Sequence, residues 1–241
     1  MEKKTRTRRM TLMIIAVAVL SLGMLFASPS AAVAGGSDQK DAQGLVDNAR
    51  VTLGDFLRDP NYSWFRDNLD RAKGVLIFPQ VLKGGFVVGG SGGTGVFMAR
   101  DEKTGNWNEP AFYTIGSVTF GLQIGGESAQ VVMLAMSQKA VDSLLSSSFK
   151  LGGDVSVALG PIGGGAKASA DIPAVTGDFV SFAKSKGLYA GLNLEGSVIA
   201  VRDGLNVAYY GKDVRPADII ANRVHSTGRT AAIRESLKCK C

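Results

Sequence analysis

The distribution of glycine constrains the fold of this chain more than any other sequence feature. Of the 31 glycines in 241 residues, 24 lie between Gly84 and Gly211, where they separate short runs of β-branched and apolar residues. Glycine weakens a strand unless a bulge, a sharp bend or a close backbone approach requires it. This region therefore predicts a strongly curved, largely antiparallel β-sheet or barrel. The runs that predict strands are 75–78, 85–88, 94–99, 112–123, 129–136, 154–159, 164–170, 179–183, 188–194 and 197–201.

A helical pattern precedes the glycine-rich region. In residues 41–58 the apolar side chains fall within about 80° of one another at 100° per residue, which predicts an amphipathic helix. A second short helix is predicted over 62–72, and further helices over 138–146 and 216–224. We therefore expect a single α+β domain whose N-terminal amphipathic helices and C-terminal helix pack on the sheet. The apolar stripe of the first helix consists of Ala42, Leu45, Ala49, Leu53 and Phe56.

The first 34 residues predict export. A basic start with a net charge of +4 precedes an apolar run over 10–27, and Ala32-Val33-Ala34 follows as a small-residue cleavage site. This order is typical of a secretory signal peptide, and Arg8-Arg9 is also compatible with a twin-arginine signal. An uncleaved membrane anchor is the alternative interpretation, because such a run can almost span a bilayer. The predicted organisation is a signal peptide at 1–34, a linker at 35–40, one domain at 41–224 and a basic C-terminal tail at 225–241.

Composition argues against several classes of function. Beyond the leader the net charge is only +2, whereas nucleic-acid-binding proteins usually gather a basic patch. One histidine and two cysteines are too few for an ordinary zinc site. We therefore expect no nucleic-acid partner, no metal and no cofactor.

Two local patterns resemble enzyme motifs. Gly90 to Gly95 fits the G-x-G-x-x-G spacing of dinucleotide sites, and Ser91 fits the G-x-S-x-G nucleophile elbow, with His225 as its base. Both motifs require a helix after the glycines, but Val96-Phe97-Met98 predicts a strand. We interpret the glycines as structural residues of a bend, at positive φ near Gly92 and Gly93, and keep a serine hydrolase as a remote alternative. Six acidic residues are interpreted as solvated turn residues: Asp101, Glu102, Glu109, Glu127, Asp154 and Asp171.

Seven blocks of sequence occur in a fixed order through the predicted domain. They are RAKGVLIFP at 71–79, KGGF at 83–86, WNEPAF at 107–112, GLQIGGE at 121–127, FKLGGD at 149–154, GP at 160–161 and GLYAG at 187–191. Together they resemble the SYLF domain family over about residues 41–224.

The resemblance implies a non-catalytic lipid-binding domain. The family includes eukaryotic proteins that bind phosphoinositide membranes, some of which also bind actin filaments, and exported bacterial members. Membrane contact in the eukaryotic members is attributed largely to an N-terminal amphipathic helix, which corresponds here to 41–58. Residues 38–73 carry seven acidic and six basic side chains, whereas helices that seek anionic lipid carry an excess of Lys and Arg. We therefore expect neither phosphoinositide specificity nor actin binding.

Together with the export leader, the resemblance implies an exported, non-catalytic protein of the bacterial cell envelope that binds a phospholipid membrane, periplasmic or peripherally associated with it. The competing interpretation is a structural or protein-interaction module that binds an envelope protein. Apolar contact is expected from the first helices, unless Leu53 and Phe56 belong to the core or Trp64 and Phe65 pack under the barrel. Electrostatic attraction is expected from 212–240, which has a net charge of +4. The candidate lipid-binding residues are Leu45, Leu53, Phe56, Trp64, Phe65, Arg71, Lys73, Lys83, Arg229, Arg234 and Lys238.

Overall fold

The computed structural model describes residues 36–85, 88–120, 125–163, 175–185, 194–221 and 226–239. These residues belong to one compact unit, Ala34–Cys241. The predicted cleavage site, the strand predicted at 164–170, most of 188–194 and His225 lie outside the described residues. The described part is an α+β domain with N-terminal and C-terminal helices on a strongly curled sheet, which confirms the predicted fold class.

Helices flank and interrupt the eight strands of the described chain. The helices are α1 (Gly36–Arg58), α2 (Ser63–Asn68), α3 (Gln138–Ser143), α4 (Asp203–Tyr210), α5 (Pro216–Ile220) and α6 (Ala231–Cys239), with 3₁₀ turns at Pro60–Tyr62 and Leu69–Arg71. The strands are β1 (Gly74–Gly85), β2 (Val88–Ala99), β3 (Ala111–Phe120), β4 (Gly125–Ala135), β5 (Ser148–Lys150), β6 (Val157–Leu159), β7 (Phe179–Ser185) and β8 (Val198–Val201). No helix among these is long and apolar enough to cross a membrane.

The strands form one sheet in the order β5-β8-β3-β2-β1-β4-β7-β6. Neighbouring strands are antiparallel except β6 and β7, which run parallel. The register of β1 shifts between Ile77 and Val81 against both of its neighbours, and such bulges bend a strand. Opposite the bulge, a Cβ on Gly95 would lie 2.3 Å from the carbonyl oxygen of Ile77. Glycine is required there because the two backbones approach closely.

Side chains from both faces of the sheet are buried in separate cores. On β1, Val75 and Ile77 belong to the core that α1, α2, α4 and α6 cover. The alternate residues Leu76 and Phe78 belong to the opposite core, which includes residues of α3 and α5. This period of two is the pattern of a strand that is buried on both faces.

Helix α1 ends where the sequence predicts a break. Asp59 accepts a hydrogen bond from the backbone N–H of Asn61 (3.0 Å) at the 3₁₀ turn that follows. Its carboxylate also accepts a hydrogen bond from Nζ of Lys184 on β7 (2.8 Å). The lysine contact, followed by the backbone contact, lowers the pKa of Asp59. The end of α1 is thereby attached to the sheet.

Three elements of the structure were not predicted from the sequence. Strand β5 and helix α4 fall in segments without an assigned pattern, and α6 falls in the segment interpreted as a basic tail. Residues 231–239 of this segment form a helix, and Ile233 and Leu237 are buried on the side of α6 that packs beside α1. Their spacing of four residues is a helical signal, but a short one.

Gly92 and Gly93 lie in strand β2 rather than in a bend, and neither is among the described glycines with positive φ. A Cβ on Gly93 would lie 2.3 Å from the carbonyl oxygen of Gln80, whereas the nearest atom to a Cβ on Gly92 lies 3.8 Å away. We therefore expect Gly93→Val to lower the free energy of unfolding by about 1–3 kcal/mol, because the added side chain overpacks the site. Gly92→Val should change stability by less than about 0.5 kcal/mol. Chemical denaturation of both variants tests this, and equal losses would contradict it.

Candidate functional site

The apolar candidates on the first two helices are mostly inside the domain. Leu53, Phe56 and Phe65 have no exposed surface. Leu45 and Trp64 are half-buried, and the Trp64 ring centroid lies 5.8 Å from that of Phe182 on β7. In this conformation Leu53, Phe56 and Phe65 contact the sheet and neighbouring helices. The alternative that these side chains belong to the core therefore holds, and they are not available to lipid.

The basic candidates near the start of the sheet have different surroundings. Arg71 is exposed and donates to Oδ1 of Asn68 (3.1 Å). Lys73 forms an ion pair with Glu102. Lys83 is half-buried on β1, where its backbone is in register with Glu127 on β4. Of these cations, Arg71 is therefore the most exposed to solvent.

Two of the three C-terminal basic candidates hold the C-terminal segment on the domain. Arg229 donates to the carbonyl oxygen of Tyr209 (2.7 Å), and its guanidinium lies 4.7 Å from the centroid of the Tyr209 ring. Arg234 forms an ion pair with Glu109 at 2.8 Å. Lys238 is exposed. Replacing Arg229 and Arg234 would therefore disturb packing as well as any attraction to lipid.

Glu109 is the centre of this attachment and was misinterpreted from the sequence as a solvated turn residue. It is 2% exposed. Besides the Arg234 pair, its carboxylate accepts hydrogen bonds from the hydroxyl groups of Thr230 (2.7 Å) and Thr227 (3.4 Å). The neighbouring Tyr209 is buried, and burial raises its pKa. Glu109 therefore has a structural role. The sequence signal for it was its position between Trp107 and Pro110, and the structure shows that both of these residues are buried.

The ends of strands β1 to β4 form a surface that the sequence analysis missed. Gln130 on β4 contacts Thr52 and Asp55 of α1 (3.4 and 3.2 Å), which identifies the α1 face of the sheet. Side chains alternate between the two faces of a strand, and residues paired on neighbouring strands point to the same face. The face that α1 covers near Gln130 therefore continues past the end of α1. We call this set of residues beyond α1 the bare face: Leu82, Gly90, Gly92, Gly116, Val118 and Gly126.

The glycines of the bare face have no side chains packed over them in the described part of the chain. A Cβ added at Gly90, Gly92, Gly116 or Gly126 would meet one backbone oxygen of a neighbouring strand, at 3.1–3.9 Å, and no helix. Leu82 and Val118 stand on this surface with 55% and 70% of their area exposed. The result is a surface of exposed backbone from which two apolar side chains project.

Ser91 does not occupy a nucleophile elbow. It lies within β2, and its hydroxyl is hydrogen-bonded to that of Ser117 on β3 (2.7 Å). A strand-to-helix turn, which the elbow requires, is not present at this position. The described residues also contain no group of three or more His, Cys, Asp or Glu placed to hold a metal ion.

A family model described as "Ysc84: Las17-binding protein actin regulator" matches residues 116–239, just over half of the chain. The chain belongs to the Ysc84 (SYLF) family. The match begins in β3 and ends in α6, so the family region includes the C-terminal helix that Glu109 anchors. The resemblance inferred from the sequence blocks is thereby confirmed.

Proteins similar to this Ysc84-family chain occur in yeast and in rat. It is 39% identical to Protein YSC84 of Saccharomyces cerevisiae over 159 residues, which is 65% of this chain and 33% of that protein. It is 38% identical to LAS seventeen-binding protein 3 of the same yeast over 161 residues, covering 66% and 34%. With SH3 domain-containing YSC84-like protein 1 of Rattus norvegicus, identity is 32% over 168 residues, covering 69% and 48%. The chain thus spans about a third to a half of the length of these relatives.

Proposed function

We propose that this Ysc84-family chain is an exported, non-catalytic protein whose domain binds phospholipid membranes through the bare face. The observation that carries the proposal is the exposure of Leu82 and Val118, 55% and 70%, on one uncovered surface. Contiguous exposed apolar surface is typical of sites that bind a membrane or a protein. The names of the family and of a yeast relative refer to binding and regulation rather than to catalysis, which supports a binding role.

The glycines make the two apolar side chains effective. Gly90, Gly92 and Gly116 lie beside Leu82 and Val118 on this face. Because these glycines have no side chains, nothing at their positions would hold a membrane away from the two apolar residues. Full burial of a leucine or valine side chain contributes about 1.5–3 kcal/mol. Because both are already partly covered, together they would contribute less than about 6 kcal/mol.

Apolar insertion of this size is reversible, and stable binding generally needs a second contribution. Cations on the side of the domain that faces an anionic vesicle can supply it, at up to about 1 kcal/mol each when close to the surface. We therefore expect salt to weaken binding to anionic vesicles without abolishing it. Export itself rests on the leader at 1–34 and is part of the proposal.

The test is the double variant Leu82→Ser and Val118→Ser in the full-length chain, produced with its own leader. We expect binding to phosphatidylcholine vesicles, and to the same vesicles with anionic lipid, to fall at least about tenfold at every salt concentration, because apolar burial is not screened. Thermal stability should be nearly unchanged, because exposed positions contribute little to it. Vesicle flotation and thermal melting measure the two effects.

Leu145 and Leu159 provide the matched control. They are 45% and 61% exposed, and Leu159 is in register with Ser181 and Met133 on the opposite face of the sheet. Leu145→Ser with Leu159→Ser should leave vesicle binding unchanged. If this control loses as much binding as the Leu82 and Val118 variant, or if the latter binds normally, the bare face is not the membrane site. If the parent chain does not float with vesicles at all, the protein-interaction alternative replaces the proposal.

A further inference from the structure

A pocket of about 210 Å³ lies away from the bare face, beside the end of β2 and helices α3 and α5. Ala99, Val141 and Ile220 give it apolar walls, and Asn108 contributes a polar group. Drug-sized ligands usually occupy pockets of about 300–1,000 Å³. This pocket therefore suits a smaller group.

Asn108 is the feature of the pocket that points to a ligand. It is 3% exposed, and its Nδ2 donates to the carbonyl oxygen of Ile220. Its Oδ1 is buried and has no hydrogen-bond partner. Exchanging the two amide atoms would place Oδ1 against the Ile220 carbonyl oxygen, so the hydrogen bond fixes the orientation. A buried acceptor without a partner is unfavourable. Because Asn108 lines the pocket, a small shift of its amide would bring Oδ1 within reach of a donor that entered the pocket.

Charged residues at the pocket balance one another. Lys73 is paired with Glu102, and Arg100 donates to the carbonyl oxygen of Asp70 (2.6 Å). Asp101 accepts hydrogen bonds from the backbone N–H groups of its own turn, chiefly that of Thr104, which lower its pKa. Glu102 would therefore repel an anionic ligand, and Lys73 and Arg100 would repel a cationic one.

A neutral ligand that both donates and accepts hydrogen bonds fits these surroundings. Hydroxyl groups do both. One hydroxyl can donate to Oδ1 of Asn108, and others can accept from Lys73 or Gln138 and donate to Glu102, all of which line the pocket. A neutral donor is also favoured at Asn108 because burying an unpaired charge between apolar walls costs far more than burying a hydroxyl.

We propose that this pocket binds a neutral polyhydroxylated group, of the size of a monosaccharide or a glycerol unit. The group could come from a lipid headgroup or from a free saccharide, and both sources present the same chemistry. The inference does not depend on the bare face, because Leu82 and Val118 do not line the pocket.

The experiment measures binding of methyl glucoside, methyl galactoside and glycerol to the full-length chain by saturation-transfer NMR and calorimetry. Inorganic phosphate and tetramethylammonium serve as charged probes. A parallel flotation compares phosphatidylcholine vesicles with and without a glucosyl diacylglycerol. We expect at least one neutral polyol or the glycolipid vesicle to bind in preference to the charged probes. Binding of the soluble polyol identifies a free saccharide as sufficient, and binding of the glycolipid alone identifies a headgroup.

Two variants locate the binding in the pocket. Ala221 is exposed and lines the pocket, so Ala221→Trp should fill it without unfolding the domain and lower the affinity at least about tenfold. Asn108→Ala should also weaken binding, and melting shows whether it folds. Ala232→Trp, at an exposed position on α6, is the matched control and should bind normally. Binding of no polyol and no glycolipid, preference for a charged probe, or normal binding by Ala221→Trp would overturn the proposal.

Discussion

Replacing Leu53 and Phe56 together by serine is expected to unfold the domain rather than to remove a membrane contact selectively. Both side chains are fully buried between α1 and the sheet. Truncation to alanine typically costs about 2–5 kcal/mol for a buried leucine and about 3–5 kcal/mol for a phenylalanine. The sum, about 5–10 kcal/mol, is comparable to the entire stability of a typical domain. Circular dichroism and thermal melting at matched concentration measure the loss.

Val51 on the same helix supplies the control for this prediction. It is 48% exposed, so Val51→Ser should change the free energy of unfolding by no more than about 0.5 kcal/mol. A double variant at Leu53 and Phe56 that keeps its cooperative melting within a few degrees of the parent would contradict the core assignment. If that folded variant also lost vesicle binding, the first helix would return as the membrane contact.

The period of the apolar residues could predict α1 but not the partner of its apolar stripe. A stripe that contains Leu53 and Phe56 has the same spacing whether it packs on a sheet or on a bilayer. The deciding fact is three-dimensional: Val75, Ile77 and Val96 present a matching apolar surface from strands that are distant in sequence. The two long-range effects that place them there, strand pairing and curvature, leave no local mark in residues 41–58.

Glycine density predicted curvature correctly but could not assign a separate role to each glycine. Gly93 and Gly95 are adjacent to the bulge and have no room for a Cβ, whereas Gly92 and Gly116 have room and no covering group. All four are glycine, so the sequence does not distinguish them. Only strand alternation and the position of the bulge in β1 determine which two are crowded and which two are open. The bare face was therefore hidden among glycines that the sequence could attribute only to bending.

Charge was the least predictable property of the site residues. Arg229 and Arg234 belong to a basic segment, and a count of charges cannot show that Tyr209 and Glu109 accept their hydrogen bonds. Glu109 is separated from Arg234 by 125 positions in the sequence, so no local pattern connects them. Within the set of predicted basic contacts, this leaves Arg71 and Lys238 as exposed candidates.

Glu109→Ala is expected to release the C-terminal segment and to destabilise the domain. The substitution removes the acceptor of Arg234 and Thr230 (2.8 and 2.7 Å). Breaking a fully buried ion pair costs about 3–5 kcal/mol, and because Arg234 keeps 26% of its side-chain area exposed, we expect a loss near the lower limit, about 3 kcal/mol. For a domain of this size that corresponds to a decrease in melting temperature of roughly 6–12 °C.

The location of the effect distinguishes anchoring from a general loss of packing. Hydrogen exchange should accelerate first in α6, because Thr230 and Arg234 connect this helix to Glu109. Glu235 is exposed on the same helix, and Glu235→Ala should leave both stability and exchange unchanged. In a double-mutant cycle with Arg234→Met, the two losses should sum to more than the loss of the double variant, because both substitutions remove the same contact. Additive losses, or exchange that accelerates uniformly over the sheet, would show that Glu109 does not hold the C-terminal helix through Arg234.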